Sequence, residues 1–167
     1  MADEMNNKHL INAPAGSGKT TSIRKKLKST VLKDPTARML CITYTNRATE
    51  ELSKEVDKTN VTICTIHSYI NELISPFYKE KGIVDLYWSI FNDRIIKRVE
   101  NKDNDSNIAE SNTRYIEKFG SLNADTVKEH LTEISYGETQ FTSLYYGILS
   151  HDDLLMFAYA AIEKYPN

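Results

Sequence analysis

The residues with the clearest chemistry form one short segment near the amino terminus, APAGSGKT at residues 13–20. It follows the apolar pair Leu10 and Ile11 and precedes a stretch with helical character, so we expect a strand to turn into a helix here. Glycines let a backbone curl until successive N–H groups point inward, and the following helix adds the positive end of its dipole. The segment therefore predicts a loop that binds phosphate groups.

Two side chains of this loop have specific roles in such a site. Lys19 is positioned to reach the terminal phosphates of a nucleotide, and the Thr20 hydroxyl is the hard oxygen ligand that Mg²⁺ prefers. The strict pattern GxxxxGK[ST] begins with a glycine, and this chain has Ala13 at that position. One small residue thus replaces another. The predicted nucleotide-binding residues are Ala13, Pro14, Ala15, Gly16, Ser17, Gly18, Lys19, Thr20 and Thr21, with Thr20 also as the metal ligand.

The elements that must position this loop alternate between strands and helices in the first half of the chain. Short apolar runs predict strands at His9–Asn12, Met39–Tyr44 and Val61–Thr65. Between them we expect one helix that runs through Lys28 and another that begins near Asn46, with Asn46 as its cap. Strands separated by helices predict a parallel sheet covered by helices, with ligands at the carboxyl ends of its strands.

The pattern changes to helix after His67, and we expect no further strands. Apolar residues recur at helical spacing from Leu86 to Val99, and the polar run at 101–107 predicts an exposed loop. Pro76 is expected to bend or end the helix predicted from Ser68 to Lys79. The last helix is expected from Asp152 to about Tyr165, with Ser150 and Asp153 forming a variant of the capping box.

Three segments beyond the loop resemble those of UvrD/Rep-like superfamily 1 DNA helicases. TYTNRATEEL at 43–52 resembles their motif Ia, and TIHSY at 65–69 resembles their motif Ib. HDDLL at 151–155 is similar to the segment that precedes their Walker B strand. All four segments occur in the order of the family, whereas the region from about 80 to 149 matches only in being helical.

This resemblance implies an α/β fold, a RecA-like P-loop NTPase with a parallel sheet, flanking helices and a helical inserted subregion. It implies an incomplete motor domain, with a nucleotide-binding core portion at 1–80, an inserted helical subdomain at 81–149 and a returning core helix at 150–167. The implied ligands are ATP, Mg²⁺ and single-stranded DNA. The implied DNA contacts are Tyr44, Thr45, Asn46, Thr65, His67 and Ser68.

The resemblance also implies groups that these 167 residues lack. The family uses a carboxylate pair on a later strand, a glutamine before the phosphate loop that reads adenine, and arginines from a second motor domain. We therefore expect the chain to bind nucleotide without hydrolysing it, and to act with the remaining helicase domains, in the same chain or in a partner chain. Asp152 and Asp153 could mimic the carboxylate pair, but the capping role fits their surroundings better.

Other interpretations of the same residues are kept open. A small P-loop nucleotide or metabolite kinase would have this length, although the chain has no arginine-rich lid. A non-catalytic remnant could serve as an interaction protein. Tyr44 could close the core at a strand end, His67 could be structural, and the basic run from Arg24 to Lys28 is typical of a solvated helix face.

Bulk composition limits the remaining classes. The formal net charge of −2 gives no general attraction to nucleic acid, so any DNA contact must be local. Cys41 and Cys64 lack CxxC spacing, so neither a disulfide framework nor a zinc site is indicated. No segment has the ~20 apolar residues that span a bilayer, so we expect no membrane partner and a location in the cytoplasm.

Overall fold

The computed structural model describes residues 14, 18–54, 56, 59–100, 106–137 and 143–166. The chain divides into two units, Met1–Thr65 and Ile66–Asn167. The strand predicted at His9–Asn12 lies outside the described residues, as does the loop predicted at 101–107 over residues 101–105. The division into 1–80, 81–149 and 150–167 stays a prediction.

The first unit alternates helices and strands as the sequence predicts. Its elements are helix α1 (Lys19–Lys33), strand β1 (Met39–Thr43), helix α2 (Asn46–Ser53) and strand β2 (Val61–Thr65). Helix α1 ends at Lys33, and the carboxylate of its C-cap residue Asp34 accepts hydrogen bonds from the Thr36 backbone N–H at 2.9 Å and from the Thr36 hydroxyl at 2.6 Å. This turn at Asp34-Pro35 brings the chain into β1.

Strands β1 and β2 pair in parallel, with Met39 opposite Val61 and Thr43 opposite Thr65. The chain passes between them through α2, the connection that parallel strands require. The residues that form the small core of this unit are Leu27, Val56 and Val61, packed against Val31, Met39, Cys41 and Ile63. The pairing brings the carboxyl ends of both strands to one edge of the sheet, where the predicted site residues follow.

Only one face of β1 is covered by the part of this unit that the structure describes. Met39, Cys41 and Thr43 are half-buried, whereas Leu40 and Ile42 are 45% and 44% exposed. Because alternate residues of a strand point to opposite faces, the helices cover one face and leave an apolar face exposed. The two strands form a parallel sheet, as predicted, and in the described part of this unit the helices cover one of its faces.

The start of α2 corrects one prediction. Asn46 was expected to cap this helix, but it is the first helical residue, and Thr45 is the cap. Thr45 has extended backbone angles, and its hydroxyl accepts a hydrogen bond from the Ala48 N–H at 3.2 Å. A side chain one residue further along would already lie in the helix, where it cannot reach the N–H groups of the first turn in this way.

The second unit is mainly helical. Its elements are α3 (Ile66–Ile74), a 3-10 turn (Ser75–Phe77), α4 (Lys81–Glu100), α5 (Ser106–Phe119), α6 (Ala124–His130), β3 (Ser135–Tyr136), a second 3-10 turn (Ser143–Tyr146), β4 (Ile148–Leu149) and α7 (His151–Lys164). As predicted, the first helix ends just before Pro76, because proline has no N–H to continue the ladder. No helix within the described ranges is long and apolar enough to cross a membrane.

The core of this unit is built along α4. Leu86, Tyr87, Phe91, Ile95 and Val99 are all buried and follow the predicted helical spacing. Helix α7 contributes the buried residues Leu154, Phe157, Ala158 and Ala161. Inside this core the Tyr87 hydroxyl donates a hydrogen bond to the Leu144 carbonyl at 3.0 Å, so its polar end is satisfied where water is excluded.

The expectation of no strands after His67 was wrong. Strands β3 and β4 pair in parallel, with Ser135 opposite Ile148 and Tyr136 opposite Leu149. Gly147 precedes β4 with a φ of 72°, a conformation that favours glycine. Strands of two residues are too short to show a hydrophobic period, so only the packing of distant segments reveals them.

Candidate functional site

The phosphate-loop segment ends at the amino terminus of α1. Gly18 has a φ of 78°, in the left-handed region, and Lys19 is the first residue of the helix. Among the described residues, no side chain caps this helix, and its first turn contains no acidic residue. Ala13, Ala15, Gly16 and Ser17 lie outside the described residues. The described end of the loop is therefore a glycine turn that leads into a helix amino terminus without competing negative charge.

The Lys19 side chain turns back toward the loop that precedes it. Its Nζ donates a hydrogen bond to the Pro14 carbonyl at 2.7 Å, and both residues are exposed to solvent. Thr20, the next residue, is half-buried, and Thr21 is exposed. A cation thus lies against the loop backbone, with a hydroxyl beside it in the same helical turn.

The carboxyl ends of β1 and β2 bring four of the predicted DNA contacts to one edge of the sheet. Thr43 lies opposite Thr65, and Tyr44 follows Thr43 with 84% of its surface exposed. Thr45 and Asn46 come next, at the exposed start of α2. Thr65 is only 8% exposed. Tyr44 therefore presents a free ring, whereas Thr65 lies inside the unit.

The Tyr44 turn is supported by two threonines. The Thr43 hydroxyl lies 2.6 Å from the Thr49 hydroxyl, and it donates a hydrogen bond to the Thr45 carbonyl at 3.1 Å. These contacts join the end of β1 to the first turns of α2. They hold the backbone on both sides of Tyr44, so the exposed ring projects from a supported turn.

The other two predicted DNA contacts, His67 and Ser68, belong to the second unit. Both lie in the first turn of α3, where Ser68 is exposed and His67 is half-buried. The His67 ring packs on that of His151, with ring centroids 4.5 Å apart and planes tilted by 37°. The His67 ring is therefore packed on the ring of an exposed histidine, and its role as a DNA contact stays a prediction.

Two residues in the surroundings of His67 were not identified from the sequence. His151 lies in the HDDLL segment, where only the two acids drew attention, and Tyr136 lies in the unpredicted strand β3. The Tyr136 hydroxyl is 3.1 Å from Nδ1 and 3.2 Å from Nε2 of His151. A second histidine in a motif-like segment was a usable signal, whereas nothing in the sequence indicated Tyr136.

The acid pair at 152–153 has a structural role at the start of α7. Ser150 caps this helix, accepting a hydrogen bond from the Asp153 N–H at 3.2 Å and donating one to Asp153 Oδ2 at 2.7 Å. Arg94 of α4 donates to the other carboxylate oxygen at 2.5 Å. Both oxygens of Asp153 are thus engaged, and the predicted capping arrangement is confirmed in its Ser150 half.

The basic run after the phosphate loop also has a packing role. Arg24 donates a hydrogen bond to the Glu51 carbonyl at 2.6 Å and so joins α1 to the end of α2. Lys25 and Lys26 are exposed, as expected for a solvated helix face. Within the described ranges, no group of three or more His, Cys, Asp or Glu residues could hold a metal ion.

Comparison with known families gives a match over almost the whole chain. The model of the UvrD/REP helicase N-terminal domain matches residues 1–166. The chain belongs to this family. The resemblance carried by the phosphate loop and the three later segments is thereby confirmed, and the mixed α/β architecture with small parallel sheets is consistent with a UvrD/REP helicase N-terminal domain.

One similar protein is the Gabija protein GajB of Bacillus cereus (strain HuB5-5). It is 33% identical to this UvrD/REP helicase N-terminal domain over 93 residues, which cover 52% of this chain and 13% of GajB. The chain therefore spans a small part of the length of this relative. No solved structure gives a significant match.

Asp153 should give this UvrD/REP helicase N-terminal domain a measurable pH dependence. Burial opposes the ionisation of Asp153, but the hydrogen bonds from Arg94 and Ser150 outweigh it and lower its pKa below 3.8. The carboxylate therefore stabilises the fold above pH 3.8, and this contribution is lost as the pH falls through the lower, folded pKa. We expect Asp153→Asn to reduce the free energy of unfolding by about 1–3 kcal/mol at neutral pH.

This difference between wild type and Asp153→Asn should shrink as the pH falls below 3.8 and through the lowered pKa of Asp153. Urea unfolding over a series of pH values measures it. Asp152→Asn removes the same charge from the exposed neighbouring position and is the matched control. A difference that stays constant down to the lowest pH would contradict the pKa assigned to Asp153.

Proposed function

We propose that this chain is the nucleotide-binding N-terminal part of a UvrD/REP DNA helicase. In this proposal it holds ATP with Mg²⁺ in its phosphate loop and single-stranded DNA at the carboxyl ends of β1 and β2. The observation that carries the proposal is the left-handed Gly18 followed by Lys19 at the start of α1, within a chain that belongs to this helicase family. The family match also favours this function over the small-kinase alternative.

The nucleotide half of the proposal depends on the charge at this end of α1. Without a capping side chain or an acidic first turn among the described residues, the helix amino terminus favours an anion. The bond from Lys19 Nζ to the Pro14 carbonyl keeps the cation beside the loop. We propose that the terminal phosphates of ATP replace that carbonyl as the partner of Lys19, since a phosphate oxygen is the stronger acceptor for an ammonium group.

The Mg²⁺ that accompanies ATP would be held at Thr20. Thr20 is half-buried and follows Lys19 directly, and its hydroxyl is a hard oxygen ligand of the kind that Mg²⁺ takes together with phosphate oxygens. When bound, the metal would neutralise phosphate charge. Thr21 is exposed in the same turn and completes the proposed set Ala13–Thr21.

The proposed fold is that of a RecA-like P-loop NTPase. Support comes from the parallel register of β1 and β2, with α2 between them, because this is one repeat of such a sheet. The exposed apolar residues Leu40 and Ile42 lie on one face of β1, as expected for a parallel sheet in which both faces are covered by other elements.

The DNA half of the proposal depends on Tyr44. Tyr44 is 84% exposed and lies on a supported turn, so its ring suits base stacking without sequence preference. Asn46 and the exposed Ser68 lie in the first turns of α2 and α3, where N–H groups favour phosphate oxygens. Thr45 would contribute through the turn that it caps, the buried Thr65 through its backbone, and the half-buried His67 through its imidazole ring.

Replacing Tyr44 with alanine should weaken binding of single-stranded DNA about 5- to 150-fold, because stacking on one base contributes ~1–3 kcal/mol. Tyr159→Ala, which removes another exposed tyrosine, is the matched control and should have little effect. Fluorescence anisotropy of a labelled oligothymidylate measures both affinities. Equal losses in the two variants would argue against a DNA-binding role for Tyr44.

We also propose that the chain by itself does not hydrolyse ATP. Of the two acids at 152–153, Asp153 is occupied, since it bonds Arg94 and Ser150 through its two carboxylate oxygens. An acid held in this way is not available to orient water or to bind a metal ion. Turnover and strand movement would then need the remaining helicase domains, whether in the same protein or in a partner chain.

A further inference from the structure

The second unit contains a row of three rings that the sequence did not indicate. His67 of α3 packs on His151 of α7, and His151 lies against Tyr136 of β3. The ring centroids of Tyr136 and His151 are 5.4 Å apart, with planes tilted by 44°. The three residues come from three separate elements, so the row exists only in the folded unit. We call His67 and His151 the histidine pair.

The start of α7 is held firmly where it supplies His151. Ser150 caps the helix, and Asp153 bonds both Ser150 and Arg94 of α4. The Arg94 guanidinium also lies 5.4 Å from the centre of the buried Phe91 ring. His151 is therefore the first residue of a helical turn that is anchored to the core of the unit.

The stability of α7 does not explain a histidine at this point. Ser150 already caps the helix, and His151 itself is exposed to solvent. A helix amino terminus favours negative charge, as in the following Asp152 and Asp153, and an imidazole is not among the groups that it favours. The described contacts of the His151 ring are with His67 and Tyr136. We infer that these contacts account for a histidine at this position.

We propose that His151 is a positioning residue for DNA binding by His67. Its ring packs against one side of the His67 ring and fixes the direction in which His67 meets a nucleotide of single-stranded DNA. Tyr136 holds His151 in turn through the contact of its hydroxyl with the imidazole nitrogens. The inference rests on the proposed function, because it takes single-stranded DNA as the ligand of His67.

The test uses four variants of the full chain and a labelled oligothymidylate of about 16 nucleotides. His151→Ala should weaken DNA binding about 2- to 12-fold, the range expected for loss of one aromatic pair. His151→Phe keeps a ring against His67 but loses the contact with the Tyr136 hydroxyl, so it should restore most of the binding, to within about twofold of wild type. Tyr136→Phe removes the same contact and should cause a similar small loss. His130→Ala is the matched control, since His130 is also exposed and packs on a ring, that of Phe119 at 4.4 Å.

Two further readouts distinguish a positioning role of His151 from a purely structural role. The affinity for a fluorescent ATP analogue should be the same in wild type and His151→Ala, and the urea midpoint of His151→Ala should fall only slightly, so that both proteins are fully folded when DNA binding is measured. In a His67→Ala background, His151→Ala should cause no further loss of DNA affinity, because a positioning residue acts through its partner. A full additional loss there would mean that His151 binds DNA directly and would overturn the positioning role. A reduced urea midpoint with unchanged DNA affinity would overturn it as well.

The outcomes also separate this inference from the proposed function. If wild type binds DNA and Tyr44→Ala weakens it while the His151 variants do not, the inference fails and the proposed function stands. If wild type shows no DNA binding under conditions in which it binds the ATP analogue, the DNA half of the proposed function fails, and the inference fails with it.

Discussion

Replacing Lys19 with alanine is expected to weaken binding of Mg²⁺–ATP about 10- to 150-fold, because a hydrogen bond to a charged group contributes ~1.5–3 kcal/mol. Lys19 is the first residue of α1, and its ammonium group already lies against the loop through the Pro14 carbonyl. The substitution removes the positively charged side chain from the segment at 13–20. Titration with a fluorescent ATP analogue in the presence of Mg²⁺ measures the change.

Lys25→Ala provides the control for this loss. Lys25 is an exposed lysine of the same helix, so the substitution removes the same charge away from the loop. It should leave the affinity within about twofold of wild type, because exposed charges in salt are largely screened. Equal affinities of wild type and Lys19→Ala would refute nucleotide binding through this loop.

The same samples test the absence of turnover. Phosphate release by the wild-type chain should stay at the background rate, with and without single-stranded DNA. Release that depends on Lys19 would show that the chain hydrolyses ATP by itself. Asp152 would then be the first carboxylate to examine, because it is exposed while both oxygens of Asp153 are engaged.

The largest expected effect on stability comes from Phe91. Phe91→Ala should lower the free energy of unfolding of the second unit by about 3–5 kcal/mol, the cost of deleting a buried aromatic side chain. The Phe91 ring is 0% exposed, and its centre lies 4.6 Å from that of Tyr87. Helix α4 cannot shift to fill the space without disturbing its other buried residues, so a cavity should remain.

Urea unfolding followed by Trp88 fluorescence measures this effect, since Trp88 is the single tryptophan and lies in α4. Phe77→Ala is the matched control, because Phe77 is 52% exposed and should cost less than about 1 kcal/mol. A similar cost at both positions would mean that α4 does not form the centre of this core.

Local features of the fold could be predicted because neighbouring residues decide them. The helix after the loop, the strands at Met39–Thr43 and Val61–Thr65, and the buried stripe of α4 follow from apolar spacing. Ser150 at the start of α7 follows from capping chemistry that acts over three residues. The cap of α2 was assigned one residue too late, because Thr45 and Asn46 both suit a cap, and only backbone angles distinguish them.

The candidate site was predicted in part, for the same reason. The phosphate loop and the Tyr44 turn are continuous segments, so their residue types carry the signal. His151, Tyr136 and Arg94 act through contacts with residues far away in the chain, and no local spacing announces such contacts. The roles of the predicted nucleotide and DNA contacts themselves stay predictions.

The sequence by itself determined the family and the alternation of strands and helices in the first unit, and it predicted a phosphate-binding loop. These depend on residue type and spacing within one segment. Only the tertiary structure decided that Asp153 is held by Arg94 and that His67 packs on His151. It also revealed the pairing of two-residue strands β3 and β4. Each of these joins segments that are distant in the chain, and such pairs form only because burial of the surrounding apolar core brings them together.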